Sequence, residues 1–303
     1  VWMGADNRQT SEDVKNAIEQ AEAAHHTTYE NFVTDQGTNL VKGVNEANKV
    51  EHYDISHYLG NCVKHVYWKE ADFKELMDKI AKLRLRYQLT DKHELVPPNM
   101  RAISRFMNMD KWVRWAYDKL MRYDTLDKES QEALAFLLQY REMIMELMQN
   151  VTTIREVETL FKHEGLSLRT LSLAKRSIIN ELITSERHGC RRLGLEMMTY
   201  VNREKELMQG STDVINNSSD VIESLFGIWK SKKSPNKQCG ITPFILMIPL
   251  YPMIAEREDA KTFDFKERLC RIRMRDVAEW AAQNIPHHEG YRSKKMTQKQ
   301  SQI

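Results

Sequence analysis

The segment Tyr29–Asn39 (YENFVTDQGTN) decides the fold class, because it changes from a strand pattern to a turn within a few residues. Tyr29–Thr34 has the pattern of a short strand. Gly37 allows the chain to turn, and a helix is predicted from about Thr38 to Ala47. Asp35 then lies at the carboxyl end of a strand, where α/β sheets commonly place carboxylates that bind divalent metals. A turn or helix-capping aspartate is the alternative.

The sequence on both sides of this segment alternates between helix and strand patterns. A helix is predicted for Ser11–Ala24, where a capping residue precedes the acidic residues of the first turn. Val1–Met3 and Val50–Asp54 are predicted to contribute strands, and Ile55–Trp68 is predicted to be a further helix. Alternation of this kind indicates a mixed or parallel sheet.

The central part of the chain, residues 69–210, contains no convincing strand pattern. The Pro97-Pro98 pair interrupts a series of helical patterns, and Gly165 marks a further turn. The predicted helices are Ala71–Tyr87, Met107–Met121, Lys128–Met148, Ile154–Lys162 and Leu171–Leu207. This part of the sequence therefore predicts an all-helical domain.

A second informative segment, Ser218–Lys230 (SSDVIESLFGIWK), follows the helical part. A serine can cap this helix, and Asp220 is favourable in its first turn. Glu223 and Lys230 are about two turns apart, so they lie on one side of the helix. A carboxylate that binds Mg²⁺ and an ammonium that meets a phosphate suit metal-dependent phosphoryl transfer. An ordinary amphipathic helix with two solvated charges is the alternative.

Three segments together resemble the DDE transposases of bacterial insertion sequences. They are Phe32–Asn39 (FVTDQGTN), Tyr53–His57 (YDISH) and Ser219–Gly227 (SDVIESLFG). The resemblance spans about Thr10 to Tyr251. It implies an RNase H-like core with a mixed sheet, interrupted by a large helical insertion domain between the last core strand and a helix with the catalytic glutamate.

The resemblance also assigns roles to individual residues. The family's second catalytic aspartate ends a core strand and its glutamate lies on a late helix, which match Asp35 and Glu223. The resemblance implies that both bind two Mg²⁺ (or Mn²⁺) ions, about 4 Å apart, for hydrolysis and strand transfer at transposon ends. Lys230 would position a phosphate, since its spacing from Glu223 is similar to the end of the family's Tyr-Arg-Glu-Lys signature, whose first two residues are absent. Asp54 and His57 are auxiliary candidates for metal or substrate, or simply cap the following helix.

The family's first catalytic aspartate has no clear match. Asp6 is the one early candidate outside the predicted helix Ser11–Ala24, and the interval from Asp6 to Asp35 is too short for the three-stranded hairpin and helix that normally separate the two. The chain also begins with Val1 rather than with methionine. We therefore expect an N-terminally truncated chain that lacks the first metal ligand and an upstream DNA-binding domain.

DNA is the implied partner, and two groups of residues are candidates to contact it. Met100–Leu120 combines basic residues with two tryptophans three positions apart, whose indoles are suited to stacking on a flipped base. Anchoring of the helix in a core is the commoner role of such a pair. The second group is a lysine-rich run at residues 230–237, which is suited to binding the phosphates of the DNA backbone. A flexible linker is the alternative for this run. The candidates are Arg101, Arg105, Trp112, Arg114 and Trp115 in the first group, and Lys230, Lys232, Lys233 and Lys237 in the second.

Composition narrows the class of protein. The net charge of +2 over 303 residues excludes a uniformly basic nucleic-acid binder and allows a local patch. The four cysteines lack zinc-site spacing, and no run of 18 apolar residues exists. The absence of GxSxG, GxxxxGK[ST] and GxGxxG argues against hydrolase, NTPase and dinucleotide chemistry. We expect a cytoplasmic, nucleoid-associated bacterial protein that forms a homo-oligomer on DNA and does not enter membranes.

The predicted organisation is an α/β core in two parts plus an all-α insertion. Residues 1–68 form the first part of the core, 69–210 the insertion, 211–285 the glutamate helix with C-terminal helices, and 286–303 a disordered tail. A non-catalytic helical module that binds nucleic acid or protein is the leading alternative, with Asp35 and Glu223 as ordinary caps and surface charges. An RNase H-like nuclease is the second alternative, which the long helical insertion disfavours.

Overall fold

The computed structural model of the protein describes residues 9–99, 109–232, 242–251, 264, 266–267, 270 and 272–285. These residues are mostly helical and contain two parallel strands that pair as a two-stranded sheet. By its internal contacts the chain divides into two compact units. The first comprises the described residues of Val1–Phe32, Gly37–Glu51 and Ser219–Ile303, and the second those of Val33–Gln36 and His52–Ser218.

The two strands form where the sequence predicts them, and both are shorter than predicted. Strand β1 covers Asn31–Thr34 and strand β2 covers Val50–Tyr53. Helix α2 lies between them in the chain and covers Thr38–Glu46. Parallel strands cannot be joined by a tight turn, so a crossover of this kind is the connection that they require.

In the first unit, helix α1 covers Ser11–His25 and packs on α2. It begins with a reciprocal cap, because the side chains of Thr10 and Asp13 each accept a hydrogen bond from the other residue's backbone N–H. Gly43 permits the close approach of the two helices. A Cβ atom at this position would lie 2.5 Å from the Val14 Cβ and 2.6 Å from the Ser11 carbonyl oxygen.

The second unit is built from helices around one continuous hydrophobic core. Apolar residues at helical spacing from each long helix enter this core, which is the physical reason for the strong periodicity in the sequence. Its helices are α3 (Ile55–Tyr67), α4 (Ala71–Tyr87), α5 (Met109–Met121), α6 (Lys128–Leu134), α7 (Phe136–Gln139), α8 (Arg141–Glu164), α9 (Leu168–Ile178) and α10 (His188–Leu207). Short 3₁₀ segments at His93–Leu95 and Tyr123–Thr125, and a π-helical turn at Ile179–Ile183, connect some of them.

Two of the predicted helix boundaries in this unit are wrong. The predicted helix Lys128–Met148 is divided at Ala135 and Tyr140, while α8 continues through the predicted gap between Met148 and Ile154 to Glu164. The gap sequence QNVTT has low helix propensity, but Asn150, Val151 and Thr153 are buried, so tertiary packing overrides the local preference. The predicted helix Leu171–Leu207 is likewise divided, by the π-helical turn and a polar turn in which the Ser185 hydroxyl accepts a hydrogen bond from the Arg187 N–H.

The first unit also contains helix α11, which covers Asp220–Lys232, and helix α12, which covers Met274–Asn284. A 3₁₀ segment covers Pro243–Met247. None of the α11 side chains is fully buried. Among the residues that the structure describes, no helix is long and apolar enough to cross a membrane.

Candidate functional site

Asp35 directly follows strand β1, as the strand pattern predicted, and its side chain is exposed. The turn that follows differs from the expectation in its details. Gln36, and not Gly37, adopts the left-handed conformation, with φ of 67°, while Gly37 stands at the N-cap of α2 with φ of −59°. The strained position is therefore adjacent to the aspartate, and a non-glycine residue at positive φ needs support from neighbouring groups.

That support comes from hydrogen bonds on both sides of Asp35. On one side, the buried Thr34 accepts a bond from the Asp54 N–H at its carbonyl oxygen, with an N···O distance of 2.8 Å. On the other side, the Gln36 N–H donates to the Thr34 hydroxyl (3.2 Å), and the Asn61 side-chain amide donates to the Gln36 side-chain oxygen (3.2 Å). The loop that carries Asp35 is thus tied to the end of β2 and to α3.

Asp54 and His57 form a helix cap. The Asp54 side chain is buried and accepts a hydrogen bond from the His57 N–H, with a distance of 2.8 Å, at the N-terminus of α3. This is the capping alternative that the sequence left open, and it satisfies one of the donors that every helix start leaves unpaired. His57 is half-buried.

A buried polar network at the end of β2 escaped the sequence analysis. Glu204 of α10 is fully buried, and its carboxylate lies 2.6 Å from His52 Nδ1. It also accepts hydrogen bonds from Arg203 Nη1 (2.5 Å) and from the Tyr53 N–H (3.4 Å). The Arg203 guanidinium lies over the Tyr53 ring, 3.6 Å from its centroid. Three donors therefore surround one buried carboxylate, as a buried charge requires.

Tyr200 and Asn217 extend this network. The Asn217 side-chain amide donates to the Tyr200 hydroxyl (2.6 Å), which donates to the Tyr53 carbonyl oxygen (3.5 Å). The Asn217 carbonyl oxygen accepts the Ile55 N–H (3.1 Å). Burial, together with the negative charge of Glu204, raises the pKa of Tyr200 well above its usual range. The tyrosine is therefore a neutral hydroxyl that can donate.

The sequence offered only one weak signal of this network, in the pattern of β2. Glu51 and His52 are buried at 4% and 1% exposure, whereas Val50 is 36% exposed. This is the reverse of the usual placement of polar and apolar residues in a strand. Two adjacent ionisable residues in a predicted strand could have indicated buried partners, but the partner of His52 lies 152 positions away in the sequence.

Glu223 and Lys230 lie on α11, in its first and last turns, and both are exposed. The Glu223 N–H donates to the Ser219 carbonyl oxygen at 3.0 Å, so the helix starts where the capping pattern predicted. Lys232 lies over the Tyr251 ring, 5.3 Å from its centroid. Glu223 belongs to the first unit and Asp35 to the second, and a metal site shared by the two stays a prediction.

The tryptophan pair of α5 faces the helical core. Trp112 is 1% exposed and its ring packs near Phe73, with a centroid distance of 6.1 Å. Trp115 is partly buried against the same core. Arg114 forms an ion pair with Asp110 one turn earlier, at 2.7 Å. The buried indole of Trp112 is not accessible to a DNA base in this conformation, and the core-anchoring alternative describes it.

Several predicted residues lie outside the described part of the chain. They are Val1–Met3, Asp6, Arg101, Arg105, Lys233, Lys237 and the tail 286–303. Among the described residues, no group of three or more histidine, cysteine, aspartate or glutamate side chains is arranged to hold a metal ion. Asp35 and Glu223 are hard oxygen donors of the kind that Mg²⁺ prefers.

Comparison with models of known protein families gives no match, and comparison with curated proteins gives no significant match.

Proposed function

We propose that the protein is a DDE-type transposase with an RNase H-like core, in which Asp35 and Glu223 hold catalytic metal ions. The observation that carries the proposal is the β1–α2–β2 unit, with an exposed Asp35 directly after β1. Ligands of α/β sheets bind outside the carboxyl ends of parallel strands, and Asp35 stands at such an end. The resemblance of three short segments to transposases of insertion sequences supports the same function.

Each candidate residue has a distinct part in the proposed reaction. When bound, divalent ions would supply Lewis acidity and an activated water or 3′-hydroxyl for attack on a phosphodiester. The Asp35 and Glu223 carboxylates would hold these ions. The exposed Lys230 ammonium would bind a backbone phosphate. Asp54 would take no direct part, because its side chain caps α3. We further propose that transposon ends and target DNA are the substrates and that the protein acts as a homo-oligomer in the bacterial cytoplasm.

The proposed metal site can be tested without any DNA substrate, by iron-directed cleavage of the protein. Fe²⁺ replaces Mg²⁺ at many carboxylate sites, and with ascorbate and peroxide it generates radicals that cut the chain beside the metal. We expect two sets of cuts, near Asp35 and near Glu223, and we expect excess Mg²⁺ to suppress both. Because one site requires both carboxylates, Asp35→Asn or Glu223→Gln should remove both sets together.

Asp220→Asn is the matched control, since Asp220 is an exposed carboxylate in the same first turn as Glu223. It should leave the cuts unchanged. Cuts near one residue only, or cuts that survive both substitutions, would overturn the shared site. In a second assay, Mn²⁺-dependent nicking of DNA that carries transposon ends should be lost in the same two variants. Unchanged DNA binding and nicking in both would favour the non-catalytic helical module.

A further inference from the structure

We propose that Glu204 is a positioning residue for Asp35. A buried network around Glu204 fixes the junction of β2 and α3 (residues 52–56, named here the β2–α3 junction) and, through one backbone hydrogen bond, the loop that carries Asp35. Only the last step, from this loop to a metal ion, rests on the proposed function. Glu204, the β2–α3 junction and Asp35 all belong to the second unit.

The first step is the anchoring of β2 by α10. Glu204 holds the His52 side chain and the Tyr53 N–H with the same carboxylate. The neighbouring Arg203 makes two contacts. Its guanidinium lies over the Tyr53 ring and donates a hydrogen bond to the Glu204 carboxylate. Two adjacent residues of one helix thus hold two adjacent residues of the strand by side chain, backbone and ring.

The second step is the transfer of this constraint along the chain. Residues 52 and 53 are held by Glu204, and the next two backbone N–H groups are also used. The Asp54 N–H donates to the Thr34 carbonyl oxygen at 2.8 Å, and the Ile55 N–H donates to the Asn217 carbonyl oxygen at 3.1 Å. Thr34 immediately precedes Asp35. The position of the Asp35 backbone therefore depends on the register of β2, which Glu204 determines.

Stability alone does not account for such a network. Burying charged groups costs several kcal/mol per ion before pairing, and apolar replacements of buried ion pairs are often neutral or stabilising. A sequence that buries Glu51, His52 and Glu204 and exposes Val50 breaks the local rules of strand patterning. Departures of this kind are expected at functional sites, where a fixed geometry of the site is kept at a cost in stability. A strand slip by one residue would also exchange the buried His52 with Tyr53.

Amide hydrogen exchange measures this positioning directly. In Glu204→Leu the carboxylate is absent, and we expect the amide of Asp54 to exchange about tenfold faster or more, because each lost buried hydrogen bond opens the junction locally. The amides of residues 34–36 should also exchange faster. Glu204→Gln keeps the shape and most hydrogen bonds of the side chain, so exchange should return close to the wild-type rate. Exchange is compared at equal distance below each variant's melting temperature.

Glu146→Leu is the matched control. Glu146 of α8 accepts bonds from the Tyr67 hydroxyl (2.7 Å) and the Gly189 N–H (2.8 Å), so its loss also disturbs a polar network of the second unit. It should accelerate exchange near Gly189 and leave Asp54 unchanged. Equal acceleration at Asp54 in Glu146→Leu, or none in a folded Glu204→Leu, would overturn the proposal.

Arg203→Met gives a second test in case Glu204→Leu does not fold, because Arg203 is half-buried and its replacement keeps an alkyl chain. We expect a smaller acceleration at Asp54, and an unchanged rate would overturn the positioning role. Iron-directed cleavage separates this inference from the proposed function. If exchange changes as expected while iron fails to cut the wild-type chain near Asp35, the positioning of the loop stands and the metal site fails.

Discussion

The two regions that carry the predicted catalytic carboxylates differ in what holds them in place. Beside Asp35, the β2–α3 junction is buried and almost every polar group has a partner, including side chains from α10. Helix α11, which carries Glu223, has no fully buried side chain, and Val221, Ile222 and Phe226 are each more than one-third exposed. Equally short sequence motifs therefore occur in one segment with buried polar groups held by distant residues and in another whose side chains are mostly exposed.

The difference has a simple physical meaning. Helices shorter than about 12–15 residues are marginal in water without tertiary packing. Helix α11 has 13 residues, and its acidic start and basic end suit the helix dipole. The β2–α3 junction has one local signal, the Asp54 cap, but its other buried polar groups depend on distant residues such as Glu204 and Asn217. Substitutions should consequently have large effects in the second unit and small effects in α11.

The largest effect is expected for Trp112→Ala in the core of the second unit. Truncation of a buried aromatic side chain typically costs about 3–5 kcal/mol. We expect a lower urea midpoint and melting temperature, monitored by circular dichroism. Stability equal to that of the wild type would show that the indole is not a core anchor. Trp112 would then again be a candidate for contact with DNA.

The second-largest effect is expected at high pH, which should lower the stability of the second unit. Burial raises the pKa values of Tyr58, Tyr67 and Tyr200. Above about pH 10 the unfolded chain loses protons that the folded chain retains, so the free energy of unfolding falls by roughly 1.4 kcal/mol per pH unit for each of the deeply buried Tyr67 and Tyr200. The half-buried Tyr58 contributes less, because solvent screens its interactions. Below pH 10 their contribution is fully present. Urea titrations at several pH values measure this slope.

Tyr67→Phe should reduce that slope by one tyrosine's share, since it removes one of the titrating groups. Because Tyr58, Tyr67 and Tyr200 all belong to the second unit, the loss of stability should concern that unit. A slope equal in wild type and variant would contradict the burial of the Tyr67 hydroxyl, which donates to Glu146 at 2.7 Å.

A moderate effect is expected for Asp54→Ala, which removes the cap of α3. Loss of an N-cap side chain costs about 0.5–2 kcal/mol. Asp54→Asn is the control, because an asparagine oxygen can accept the same bond from the His57 N–H. Thermal unfolding should place Asn between the wild type and Ala. Equal losses in Asn and Ala would contradict the capping role and indicate that the charge of Asp54 matters, because asparagine keeps the acceptor and loses only the charge.

The smallest effect is expected for Ile222→Ala in α11, where the side chain is 57% exposed. Exposed substitutions usually change stability by less than about 0.5 kcal/mol. The matched variant is Ile55→Ala at the β2–α3 junction, where the same substitution removes a side chain that is 0% exposed and should cost about 2–5 kcal/mol. Similar losses in both variants would erase the difference between the two regions.

The sequence predicted the parts of this structure that depend on local patterns. The strand before Asp35 and the crossover helix after it are found close to the predicted positions, and α4 has the predicted ends, Ala71 and Tyr87. The cap at Asp54 followed from the same kind of pattern. These features depend on periodicity and on preferences of neighbouring residues, which a single sequence displays.

The features that the sequence did not predict depend on distant contacts. The continuity of α8 across QNVTT follows from burial of Asn150 and Thr153. The left-handed Gln36, in the loop after β1, accepts a hydrogen bond from Asn61 of helix α3. The burial of Glu204 beside His52 pairs residues 152 positions apart. An RNase H-like sheet also requires strands beyond the two described, and it stays a prediction.

The separation of His52 from Glu204 has a consequence for the order of events during protein synthesis. At about 5–20 residues per second, β2 is made roughly 8–30 s before Glu204. During that interval the strand has an unpaired edge, which is a known risk for association with other chains. Glu51 and His52 place polar groups where a typical strand would be apolar. Because polar side chains on an unpaired strand disfavour association with other chains, we expect Glu51 and His52 to protect β2 until Glu204 is available.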